Sequence, residues 1–176
     1  MSIFEDSEKS MRKEVRIISA IVEHKPGVLF SVSNMFRRRG FNIESISVGV
    51  AEQKDLARMT IAIKGDEGTI EQVVKQLKKL IDVVKVSLLD PKSIVTRELA
   101  LVKVNTPDAR VRSDVINYTD IFKGHVVDVS HDALIVEITG DSEKINAYVE
   151  LMKAFGVKEI ARTGITALPR GMRSVK

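Results

Sequence analysis

Residues 15–50 read VRIISAIVEHKPGVLFSVSNMFRRRGFNIESISVGV, and this stretch decides the fold. Its first eight residues are almost continuously apolar, the pattern of a strand buried on both sides. EHKPGVLF follows at 23–30. Pro26-Gly27 is a strong turn signal, because proline fixes φ and glycine tolerates the left-handed region. Residues 28–39 then place Leu29, Val32 and Phe36 on one helical face, with Val28 and Met35 flanking it. Arg37, Arg38 and Arg39 suit the negative end of a helix dipole, and Gly40 ends the helix. FNIESISVGV, 41–50, alternates as a second strand.

Working outward, AEQKDL is a polar hairpin connection and ARMTIAIK (57–64) a third strand. GDEGT leads into a second helix whose apolar stripe is Ile70, Val73, Val74, Leu77 and Ile81, and VVKVSLL (83–89) is a fourth strand. The order is βαββαβ. It then repeats: RELALVKVN strand, PDARVRSDVINYTDIF helix, HVVDVS and ALIVEIT hairpin, GDSEKINAYVELMKAF helix, VKEIARTGITAL last strand. Gly65-Asp66 recurs as Gly140-Asp141, each time between a strand and a helix.

Right-handed crossovers make each copy a four-stranded antiparallel sheet with both helices on one face. The predicted fold class is α+β, with two tandem ferredoxin-like βαββαβ domains. The boundaries read as a mobile N-terminal tail 1–14, a first domain 15–90, a linker 91–96, a second domain 97–171 and a basic tail 172–176. The first strand is mostly apolar on both faces, so its helix-free face needs a cover, and another copy of the domain, in cis or in trans, is the economical one.

Composition excludes several classes of function. The 176 residues contain no cysteine, which removes disulfides, thiolate nucleophiles and cysteine-based zinc sites and fits a reducing cytoplasm. No apolar run reaches the roughly 18 residues that span a bilayer, and the N-terminus has no signal-peptide core, so a cytoplasmic location without a membrane partner is expected. His24, His125 and His131 lack partners at metal-site spacing, so no metal is expected. There is no P-loop, dinucleotide fingerprint or serine elbow, and no nucleophile, base and orienter set. Aromatics make up 5% of the chain, and the predicted central strands have none on which bases could stack. A net charge of +4, with basic and acidic residues interspersed, gives no separate sign of nucleic-acid binding.

What remains is the corner at 23–30. Gly27 lets backbone approach a guest closely, and the first N–H groups of the helix, at Val28, Leu29 and Phe30, attract a carboxylate. One such contact contributes about 0.3–1 kcal/mol, whereas millimolar binding needs about 4, so further contacts are required. Asn42 and Ile43 open the next strand. From a sheet-paired neighbouring copy, Asn42 would offer a donor and an acceptor to an amino acid, or it is a turn residue leaving the helix. His24 either hydrogen-bonds the ligand or caps the strand. The second repeat differs: NTPDARV (105–111) has aspartate and no glycine, so Thr106 or Asp108 can satisfy the helix start internally.

KPGVLFSVSNMFRRRGFNIESISVG and LARMTIAIKGDEGTIEQVVKQLKKLIDVVKVSLL resemble the ACT domain of the acetolactate synthase (acetohydroxyacid synthase) small-subunit family. RELALVKV, TDIFKGHVVDVSHDALIVEITGD and ARTGITALPRG are similar to the family's second half, an ACT-like domain. The resemblance implies a non-catalytic regulatory subunit. It would activate a large catalytic subunit that carries thiamine diphosphate, Mg and FAD, and confer feedback inhibition by valine in branched-chain amino acid synthesis. It also implies a homodimer through the ACT domains, with valine bound between them by His24, Gly27, Val28, Leu29, Asn42 and Ile43. The alternative is a free-standing ACT sensor regulating another enzyme or transcription.

Overall fold

A computed structural model describes residues 14–172 and 174. The expected tail at 1–14, Glu14 apart, and residues 173, 175 and 176 of the basic tail lie outside the described residues. The chain divides into two compact units, one of residues up to Val95 together with those from Ala167 on, the other Thr96–Thr166.

The first unit runs β1 (Glu14–Glu23), α1 (Val28–Arg39), β2 (Ile43–Val50), β3 (Leu56–Gly65), α2 (Glu67–Leu77) and β4 (Val83–Leu89). Its sheet order is β2-β3-β1-β4, all antiparallel, the ferredoxin-like arrangement. A 3₁₀ turn at Pro91–Ser93 comes next, closed by the Asp90 carboxylate accepting the Lys92 N–H at 3.0 Å. The second unit repeats the plan with β5 (Ile94–Asn105), α3 (Ala109–Ile121), β6 (His125–Val129), β7 (Ala133–Gly140), α4 (Ser142–Lys153) and β8 (Val157–Arg162), in the order β6-β7-β5-β8. A short β9 (Thr166–Pro169) also pairs with β5.

Each unit has its own core. In the first, Ile18, Ala20 and Val22 of β1 and Met59, Ile61 and Ile63 of β3 meet Val28, Val32, Met35 and Phe36 of α1 and Ile70, Val73 and Leu77 of α2. Burying one such large side chain contributes about 1.5–3 kcal/mol. The end of α1 is a Schellman turn. Gly40, at φ 69, donates to Arg37 O, Phe41 N–H donates to Phe36 O at 3.1 Å, and the Phe36 and Phe41 rings meet edge-on at 6.3 Å. The second core gathers Ala100, Val102, Val104, Val115, Leu134, Val136, Ile138, Ile145, Tyr148 and Met152.

Three sequence expectations change. The buried stripe of α1 is Val28, Val32, Met35 and Phe36, at i, i+4, i+7 and i+8, which leaves Leu29 47% exposed. Ile81 leaves the α2 stripe because the helix ends at Leu77 and a tight turn, with Leu80 N–H donating to Leu77 O, puts Ile81 in solvent. The last expected strand is two strands. Thr163 breaks it by donating its N–H to Leu99 O and accepting the Leu99 N–H on Oγ1, both at 3.0 Å. The expectation that the helix-free face of the first sheet is covered agrees with the structure. Ile17, Ser19, Ile21, Thr60 and Ala62 on that face are buried, as the apolar character of both faces of β1 leads one to expect.

Candidate ligand-binding site

Between β1 and α1 lie four residues, His24, Lys25, Pro26 and Gly27. Gly27 is the N-cap of α1, at φ 90 and ψ −16, and no side chain caps the helix. The first helical bond runs from Ser31 N–H to Gly27 O at 2.9 Å, so the N–H groups of Val28, Leu29 and Phe30 precede it, at the positive end of the helix dipole. A Cβ built on Gly27 meets nothing within 4 Å, so space is open there. Val28 is buried in the core, while Leu29 and Phe30 present apolar surface to solvent.

The other described helices show what such a terminus accepts. Asp66 accepts from Thr69 N–H at 2.7 Å, Asp108 from Val111 N–H at 2.9 Å and Asp141 from Lys144 N–H at 2.9 Å. Each N-terminus holds the chain's own carboxylate. At the α3 corner the choice left open by the sequence falls to Asp108. Thr106 is fully buried, and its backbone N–H donates to Asp132 O at 2.7 Å. The α1 corner alone among these four carries no carboxylate.

His24 is exposed, and its backbone N–H donates to Asp55 O at 2.8 Å. Asn42 is exposed and donates from Nδ2 to Glu44 Oε1 at 3.1 Å, which leaves its amide oxygen as an acceptor. Ile43 is half-buried against the core. Asn42 and Ile43 lie beyond the far end of α1, whose 12 residues span about 18 Å. One chain therefore brings His24, Gly27, Val28 and Leu29 together and leaves Asn42 and Ile43 apart from them.

Sequence reasoning missed the part of the corner built by Lys25. Its Nζ sits 2.5 Å from Glu23 Oε2 and 2.7 Å from Asp82 Oδ1, on the turn between α2 and β4. These hydrogen bonds, Asp82's first, hold the ammonium well above the ordinary lysine range. No motif announces a pair 57 positions apart (82 − 25) in sequence. Among the described residues, no group of three or more His, Cys, Asp or Glu could hold a metal. No described helix is long and apolar enough to cross a membrane.

Two family descriptions match the chain: an AHAS small subunit-like ACT domain at residues 18–85 and the small subunit of acetolactate synthase at residues 97–171. The chain is 58% identical over 165 residues to the probable acetolactate synthase small subunit of Methanothermobacter thermautotrophicus, covering 94% of this chain and 98% of that one. It is 48% identical over 175 residues to the acetolactate synthase small subunit of Aquifex aeolicus, covering 98% and 91%. The crystal structure of the Thermotoga maritima acetolactate synthase small subunit superimposes with a TM-score of 0.84 at 44% identity, covering 90% of this chain and 98% of that one.

Proposed function

The chain belongs to the acetolactate synthase small-subunit family, and from that premise we propose that it binds the large catalytic subunit, raises its activity and makes it sensitive to valine. The observation that carries the effector part is the bare N-terminus of α1 beside three helices capped by their own aspartates. Valine's carboxylate takes the place those aspartates occupy, accepting from the N–H groups behind Gly27. Its ammonium needs an acceptor and its isopropyl group an apolar wall. Asn42 Oδ1 supplies the acceptor from a second copy, since it stands too far from Gly27 in its own chain.

The two copies pair along the β2 edge, which no strand covers on its outer side among the described residues and where Val48 and Val50 are exposed. Binding between two chains lets valine bias their arrangement, and coupling of about 1–3 kcal/mol suffices for feedback control. Thiamine diphosphate, Mg and FAD belong to the catalytic partner. The test is to mix the chain with its catalytic subunit and follow acetolactate formation from pyruvate, with and without valine. Activation reversed by valine is expected. No activation overturns the assignment to this partner, and activation indifferent to valine overturns the effector.

A further inference from the structure

The corners of the two units are pinned by the same two backbone bonds. In the first, Glu23 N–H donates to Asp82 O at 2.9 Å and His24 N–H to Asp55 O at 2.8 Å. In the second, Asn105 N–H donates to Gly156 O at 2.9 Å and Thr106 N–H to Asp132 O at 2.7 Å. These bonds belong to the fold. Past them the two corners diverge. The second corner is closed by a carboxylate of its own, Asp108, seated on Val111 N–H. The first has no such cap, is one residue longer, and contains a glycine in the left-handed region. Instead, Lys25 reaches across to Asp82, whose counterpart in the second unit is Gly156, a residue with no side chain to offer.

We propose that Lys25 and Asp82 are positioning residues of the effector site: their bridge replaces the missing cap and holds the Pro26-Gly27 backbone in the shape that receives a carboxylate. This rests on the effector reading above. Lys25 is half exposed, a setting in which an ion pair adds little to global stability. Its place, two residues before the N-cap, suits local ordering. Without the bridge, the corner samples other conformations, and the ligand must order it on binding.

The probe is valine titrated calorimetrically into the full chain, with Lys25→Met, Asp82→Asn, the double variant and Lys25→Arg. Each neutral variant should weaken valine about two- to tenfold, the scale of ordering one side chain and its loop. The double variant should be no weaker than either single one, and Lys25→Arg should bind within about twofold of the parent, since it keeps the cation. Half-inhibitory valine concentrations, each normalised to that variant's own uninhibited activity, should follow the same order. If the parent chain takes up no valine, the effector reading fails. If the parent binds valine and the neutral variants bind equally well, or the two losses add, the positioning role is overturned while the site stands.

Discussion

Gly27→Asp places a carboxylate where the effector's carboxylate is proposed to sit. Steric exclusion is small, because a Cβ at Gly27 meets nothing within 4 Å. The backbone matters more: at φ 90, a residue with a Cβ is strained by about 1–2 kcal/mol. Aspartate recovers part of this by capping the helix, worth about 1 kcal/mol. The variant should therefore fold and still activate the catalytic subunit. Its effect on valine is electrostatic. Two carboxylates about 4 Å apart near a protein surface repel by up to about 4 kcal/mol, and the contact with the helix terminus, about 0.3–1 kcal/mol, is lost as well. Half of that repulsion already raises the half-inhibitory valine concentration on the order of 30-fold. Gly27→Ala carries the same strain without the charge, so its shift should stay within about tenfold. The assay is acetolactate formation by the reconstituted complex over a valine titration, with thermal melting of each chain alongside. A Gly27→Asp complex inhibited at parental valine concentrations would refute the placement. Equal loss in Gly27→Ala would refute charge as the cause.

Asn42→Ala removes an exposed side chain whose bond is to Glu44, so melting should not change, while valine inhibition weakens about two- to tenfold for one lost hydrogen bond. In the second unit, Glu98 is 6% exposed and is held by Arg162 Nε and Ser142 Oγ. Arg162→Met leaves that carboxylate buried without its cation and should lower unfolding stability by about 3 kcal/mol in urea; a loss under 1 would mean that Glu98 is solvated. Tyr148 is fully buried, and burial pushes its phenol above the ordinary value of 10.0, against a smaller opposing effect of the Thr119 hydroxyl at 2.9 Å. The folded state thus keeps a proton that the unfolded chain releases near pH 10, so this contribution is full below that pH and is lost as pH rises through the folded value. Tyr148→Phe should flatten the alkaline decline of stability measured by denaturant unfolding from pH 9 to 11, at a cost of about 1 kcal/mol at neutral pH.

The fold was legible because period and punctuation agree. Strands of period two, helices of period 3.6, and Gly-Asp before the second helix of each unit give the order that the two sheets display. Gly27 was legible for the same reason: only the Pro-Gly corner departs from its own repeat. What escaped depends on contacts distant in sequence. Thr163 ends β8 through the backbone of Leu99, 64 residues earlier, and nothing local in ARTGIT marks that break. Ile81 fits the α2 periodicity, yet the helix stops a turn before it. Lys25 gains its place in the corner only through Asp82, 57 positions along the chain.

The energetics of capping explain why one unit of a tandem repeat can carry a site at little loss of stability. Replacing an N-cap Ser, Thr, Asp or Asn by glycine weakens a helix by only a few tenths of a kcal/mol, whereas alanine costs about 1. Glycine is thus the residue that leaves a helix terminus bare most cheaply, and it also accepts the φ of 90 found at the α1 corner. Val28, Val32, Met35 and Phe36 anchor that helix through the core, so its stability does not depend on a side-chain cap at its first turn. The second unit keeps Asp108, satisfies its own terminus and repels another carboxylate. In the proposed reading, the same backbone plan stays closed or stands ready for a ligand according to one residue at the cap and a bridge that holds the loop behind it.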